Sequence, residues 1–186
     1  MSNELTGKTI GFLVANEGIE QVELTGPWKA VEQAGGKPRL VAPKLGSAQA
    51  FNHLDKGDQF PVDVEVGSAA VADFDGLVLP GGVANPDALR TDEAAVQFVK
   101  DFVAAGKPVA AICHAPWTLI EADVVNGKEL TSWPSLQTDL RNAGARWSDQ
   151  QVVVSDEQGW TLVTSRKPDD LPAFNAEAIR VFSAGR

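Results

Sequence analysis

The chain has 186 residues, 44% hydrophobic and 22% charged, with 16 Lys and Arg against 25 Asp and Glu for a net charge of −9. That is the size of one globular domain spanning 1–186, which buries roughly 70% of its unfolded surface and needs no disulfide or metal staple. The acidic balance leaves no Lys/Arg face for phosphates, so neither specific nucleic-acid binding nor an anionic membrane partner is expected.

A lone cysteine, Cys113, excludes an internal disulfide and a Cys-rich zinc site, and two histidines, His53 and His114, exclude a three-His zinc site. No metal or organic cofactor is expected. The opening Met1-Ser2-Asn3-Glu4 has no basic region, and the early apolar stretch Ile10 to Ala15 is too short to span a bilayer. The reading is a cytoplasmic protein with a reduced thiol and no targeting signal.

Short β-rich runs alternate with helical stretches, the pattern of an α/β fold with a mostly parallel sheet. Thr9 to Ala15 is the first strand, and its continuous apolarity predicts burial on both faces. A polar loop leads to a helix from about Glu20 to Ala34, with Val22, Trp28 and Val31 at helical spacing and Gly35-Gly36 as its stop. Arg39 to Ala42 is the second strand. Residues 45–68 are irregular, and the alternation of Val62-Asp63-Val64-Glu65-Val66 predicts a small hairpin or edge insertion.

Gly76 to Pro80 is a third central strand, followed at once by Gly81-Gly82. Asp92 is placed as the cap of a helix to about Ala105, with Val96, Phe98, Val99 and Phe102 facing inward. Pro108 to Ile112 is the next strand and runs into Cys113, and a helix starts near Ala115-Pro116. Further on come a helix from about Pro134 to Asn142 and a hairpin pairing Val152–Val154 with Trp160–Val163. A final helix covers about Leu171 to Phe182.

Three features carry chemistry. Cys113 stands where a buried strand meets a helix, the place where open α/β sheets gather function and where a helix dipole lowers a thiol's pKa. His114 follows directly, and at a bend two neighbours can converge into a Cys/His nucleophile pair. Gly81 and Gly82 permit close backbone approach, so amides there can face the thiol and hold an oxyanion. The acidic segment Asn16 to Glu23 supplies three glutamates, Glu17, Glu20 and Glu23, any one of which can point at Cys113 and exchange a proton with it. Ser132 and Pro134 are placed near the cleft. His53 is read as a solvated surface residue, and Trp117, Trp133, Trp147 and Trp160 as core or interface aromatics.

Ala111-Ile112-Cys113-His114-Ala115-Pro116 and Leu77-Val78-Leu79-Pro80-Gly81-Gly82 resemble the ThiJ/PfpI superfamily, most closely its PfpI-type intracellular proteases and bacterial general stress proteins. Val22 to Pro27, Gly106 to Val109, Thr131 to Pro134, Asn142 to Ala145 and Thr164 to Leu171 extend the likeness over nearly the whole chain. The resemblance implies a flavodoxin-like three-layer α/β sandwich with a mostly parallel central sheet, related to class I glutamine amidotransferases. It implies Cys113 as nucleophile, Glu23 as the carboxylic acid beside it and His114 as the following histidine. A neighbouring subunit's acid orients that histidine in PfpI-type proteins. The matching position here is Asp87, one methylene shorter than the family's Glu and in a loop one residue longer.

The resemblance implies a peptidase, a glyoxalase, a deglycase or a chaperone or oxidative-stress function without choosing among them; the activity expected here is that of a stress-response cysteine enzyme on reactive carbonyls, of glyoxalase or deglycase type, with a small carbonyl or a glycated group as substrate. The alternatives are an intracellular peptidase with a Cys113–His114–Asp87 triad, and a non-enzymatic oxidative-stress sensor or chaperone. A homodimer or higher homo-oligomer is expected.

Overall fold

The computed structural model describes residues 3–185. Met1 and Ser2, half of the opening segment read for a targeting signal, lie outside them, as does Arg186 at the other end of the expected domain. In chain order the elements are β1 (Thr9–Leu13), β2 (Glu17–Glu20), α1 (Gln21–Gln33), β3 (Lys37–Ala42), β4 (Gly46–Asn52), β5 (Asp55–Val62), β6 (Val64–Glu65), β7 (Gly76–Leu79), α2 (Ala84–Leu89), α3 (Glu93–Ala104), β8 (Val109–Ile112), α4 (Pro116–Glu121), β9 (Glu129–Leu130), α5 (Gln137–Asn142), β10 (Arg146–Trp147), β11 (Val152–Ser155), β12 (Leu162–Ser165) and α6 (Leu171–Ala184).

A seven-stranded sheet runs in the order β11–β12–β8–β7–β1–β3–β6. Only β11 is antiparallel to its neighbour. The central strands are short, apolar and buried along their length, because helices cover both faces of a parallel sheet. Strand alternation deals the side chains to two cores. Val109 and Ala111 of β8 face Phe98, Val99 and Phe102 of α3 and Leu119 of α4. Ala110 and Ile112 face the opposite layer, which holds Leu24 and Val31 of α1 and Phe174 and Phe182 of α6. The result is the α/β sandwich with a mostly parallel central sheet expected above. No helix among the described residues is long and apolar enough to cross a membrane.

Two details of the elements differ from the sequence reading. The polar stretch after β1 is a strand, β2, which joins β4 and β5 in a second, three-stranded sheet around fully buried Ile19. The expected hairpin is β4–β5, but the alternating Val62–Val66 run is broken at Asp63. The Asp63 side chain accepts from Leu40 N at 2.7 Å and its own amide donates to Leu40 O, which pins the bend to β3 and turns Val64–Glu65 into the sheet's edge strand.

A third difference bears on the site. The buried face of α1 is Glu23, Leu24, Pro27 and Val31, one residue round from the expected one, and Val22 is exposed. Trp28 keeps its expected packing role, with its ring 5.1 Å from that of Phe12.

The sheet places the cleft. From β1 the chain steps outward to β3, whereas β7, on the other flank of β1, begins a run β7–β8–β12 in the opposite direction. Loops leaving the carboxyl ends of β1 and β7 therefore part from each other and open a crevice, the usual ligand position in open α/β sheets. Asp92 caps α3 as expected, its carboxylate accepting from Ala95 N at 2.8 Å. Phe102, fully buried and 5.8 Å from Phe98, anchors that helix on the sheet. Phe102→Ala is expected to cost about 3–5 kcal/mol of unfolding free energy, read as a lower denaturant midpoint with an unchanged slope.

Candidate active site

Cys113 follows β8 without a linker and takes a left-handed backbone, φ 64°. A non-glycine residue held there costs roughly 1–3 kcal/mol, so its surroundings must enforce it. They do so on every side. Cys113 N donates to Ser165 O at 3.0 Å, Trp133 N donates to Cys113 O at 2.9 Å, and Ala115 N donates to Ile112 O at 3.1 Å. Pro116 then opens α4 at a position where its missing N–H is not needed.

The bend brings neighbours together that a regular strand would separate. Cys113 Sγ lies 3.1 Å from His114 Nδ1, the juxtaposition expected for a Cys/His pair. The His114 ring is held between aromatic rings, stacked on Trp133 at 5.6 Å and tilted against Trp117 at 5.2 Å. Burial lowers its pKa, which keeps the imidazole neutral.

Of the three glutamates, the one that reaches the sulfur is Glu23. It sits in the first turn of α1 with no exposed surface. Its Oε2 accepts from Gly81 N at 2.9 Å, while Oε1 is buried without a partner in hydrogen-bond geometry. Of the side chains around it, the Cys113 thiol is the one that favours its ionised form. Burial lifts Glu23 to about 8, and the charge of Glu20 pushes the same way against the thiol and the amides of Gly81 and Gly82.

Burial, then the charge of Glu23, push the Cys113 thiol up, and the amides of Gly82 and His114 pull it back only in part. The expectation of a dipole-lowered thiol is therefore corrected. Helix α4 has only six residues, and loss of water around the sulfur outweighs its field.

The amides of both glycines favour the Glu23 carboxylate, but they differ toward the sulfur. The Gly81 amide is taken up by Glu23, and only the Gly82 amide, with that of His114, faces the sulfur. A Cβ on Gly81 would lie 2.7 Å from Cys113 Cβ and overlap Glu23 Oε2, and one on Gly82, at φ 88°, would overlap Gly18 O. No side chain fits at either place. Asn85 locks this turn: its Nδ2 donates to Pro80 O and Gly81 O, and its Oδ1 accepts from Ala15 N at 2.7 Å. Asn85 went unnoticed in the sequence. Its one available signal was a polar residue three positions after the glycine pair.

Above the sulfur opens a cleft of about 590 Å³. Glu17, Glu20, Glu23, Gly82, Cys113 and His114 line it, with Phe51, His53, Leu54, Val83 and Trp133 toward the mouth. Trp133, 38% exposed, lines the cleft, whereas Ser132 is buried behind it and Pro134 lies outside. Trp160 is in the core as expected. His53 is solvated as expected, yet it also stands at the cleft edge, on the tip of the β4–β5 hairpin. Asp87 lies on the exposed side of α2, makes no hydrogen bond to His114 within the chain and does not line the cleft.

Residues 8–181 match the DJ-1/PfpI family. "Protein/nucleic acid deglycase 2" of Escherichia coli (strain K12) is 43% identical over 178 residues, 95% of this chain and 99% of that protein. "Putative cysteine protease YraA" of Bacillus subtilis (strain 168) is 41% identical over 174 residues, 94% of this chain and 98% of the other. A crystal structure of a ThiJ/PfpI domain protein from Brachyspira murdochii superposes with a TM-score of 0.86 over the whole of both chains at 20% identity, a likeness of fold.

The raised pKa of Glu23 has a stability consequence. Its folded value of about 8 lies above the ordinary 4.5, so the fold holds a proton that the unfolded chain releases. Stability contributed by the neutral carboxyl is complete below about 4.5 and is lost as pH rises through about 8. Glu23→Gln keeps the shape and removes the charge. Its melting temperature is expected to gain on the parent's between about pH 5 and about pH 8, by several degrees at roughly 2–4 °C per kcal/mol. Melting-temperature differences that are the same at both ends would show that Glu23 titrates normally.

Proposed function

The chain belongs to the DJ-1/PfpI family, and from that premise we propose that it is a cysteine enzyme acting on reactive carbonyls, of glyoxalase or deglycase type. The observation that carries this reading is the pairing of the Cys113 thiol with a buried carboxyl that holds its proton up to about 8, with His114 Nδ1 3.1 Å from the sulfur. A peptidase triad needs an acid on His114, and Asp87 does not supply it within one chain. A triad assembled across an interface belongs to the expected homo-oligomer and requires the partner's Asp87.

The chemistry follows from proton ownership. Near pH 8 the pair loses its first proton, which leaves one proton shared by sulfur and carboxyl. With that proton on Glu23, the sulfur adds to the aldehyde carbon of methylglyoxal. The C=O pair moves to oxygen beside the Gly82 and His114 amides, and Glu23 gives its proton to that oxygen, which leaves a hemithioacetal and a carboxylate.

Glu23 as carboxylate then removes the hydrogen from the former aldehyde carbon and returns it to the neighbouring carbon. The hemithioacetal hydroxyl gives up its proton as the ketone oxygen takes one, by way of an enediol, so the aldehyde carbon is oxidised to a thioester as the ketone carbon is reduced to an alcohol, with no external oxidant. Water attacks the thioester, the C–S bond breaks, and lactate and the free thiol are released. A methylglyoxal adduct on an amine or thiol enters after its hemiaminal or hemithioacetal carbon releases that amine or thiol, which leaves repaired with the hydroxyl proton, and the aldehyde so freed meets the sulfur.

Lactate formation from methylglyoxal tests this reading. Cys113→Ala is expected to abolish it, and Glu23→Gln to lower kcat by about 100-fold or more. For the parent, kcat/KM is expected to rise with pH to a plateau with its inflection near 8. Turnover that survives Cys113→Ala would rule the mechanism out.

A further inference from the structure

The cleft over Cys113 carries charge of one sign. Glu17 and Glu20 line it, and among the described residues no lysine or arginine does. The two imidazoles do not restore balance. Burial keeps His114 neutral, and His53, its side chain 88% exposed, stands 3.9 Å from Glu20 Oε2 at the tip of the hairpin. The field reaches the reacting groups, because the charge of Glu20 helps to raise Glu23.

Glu23 itself lines the cleft with one buried oxygen, Oε1, left without a partner. Near the mouth Trp133 is 38% exposed and stacked on His114. A part-exposed aromatic ring lining the same cleft as the carboxylates suits a cation.

We infer that the cleft is a charge filter. Carbonyl compounds that carry a neighbouring ammonium or guanidinium group are drawn to Cys113, and those that carry a phosphate or carboxylate are turned away. Glu17 and Glu20 set the preference, and Trp133 receives the cation. As a statement of substrate class this rests on the carbonyl reading, but the field that produces it acts on any small molecule approaching the sulfur. At an intermediate effective dielectric, a carboxylate about 7 Å away changes the local concentration of a unit charge by roughly fivefold to tenfold.

Three methanethiosulfonates read that field without turnover: a cationic trimethylammonioethyl, an anionic sulfonatoethyl and a neutral methyl reagent. Each transfers its sulfur substituent to Cys113 as a mixed disulfide and releases methanesulfinate. Second-order rates are measured by mass on the full chain at about pH 8 and at low salt, and are compared with those of 2-mercaptoethanol.

The cationic-to-anionic rate ratio is expected to exceed that of the small thiol by roughly tenfold or more and to shrink in high salt. In the Glu17→Gln/Glu20→Gln variant the ratio, with each rate taken relative to the neutral reagent's on the same variant, is expected to fall toward the small-thiol value. A ratio equal to the small thiol's, a ratio the double variant leaves unchanged, or a sulfur that reacts with none of the three would each overturn the inference. Lactate formation is scored separately. A charge preference without turnover leaves the filter standing and removes the carbonyl reading, and turnover without charge preference does the reverse.

Discussion

A backbone held in the left-handed region at Cys113 is the constraint on which the rest of the molecule turns. Any regular continuation of β8 would send Cys113 and His114 to opposite faces of the sheet. The bend puts sulfur and imidazole 3.1 Å apart on one side. It persists because hydrogen bonds from β12 and from the segment leading to α5 hold its amide and carbonyl. The strain is local to one residue, and the whole carboxyl end of the sheet supports it.

Around this bend the fold removes water rather than adding charge. Cys113 and Glu23 are buried beside each other, and His114 is nearly as enclosed. Burial disfavours each charged form, so thiol and carboxyl rise and the imidazole falls. The pair responds as one unit, in which removing a proton from either partner is felt by the other. Two glycines make the crowding possible, since a side chain on Gly81 would occupy the place of the Glu23 carboxyl.

Much of this was legible along the chain. The strand-to-helix step at Cys113, the glycine pair after β7, the Asp92 cap and the alternation of strands with helices are local signals, each written in a few neighbouring residues. The buried face of α1 was less so. Val22, Trp28 and Val31 form a plausible apolar stripe, and the face that packs carries Glu23 instead. A hydrophobic count reads a carboxylate as a solvated residue, and only a partner from elsewhere in the chain makes its burial tolerable. Asn85 escaped notice for the same reason, because its value lies in joining the ends of β1 and β7.

The sequence alone determined the class of fold, the place of Cys113 at a strand-to-helix step and the family of motifs around it, because periodicity, turn chemistry and residue type act within a single segment. Tertiary structure decided which of three glutamates meets the sulfur, that the Gly81 amide serves Glu23 and not the thiol, and that the thiol is raised and not lowered. Those outcomes depend on desolvation, and how much water a group loses is set by segments far away in the chain that pack over it.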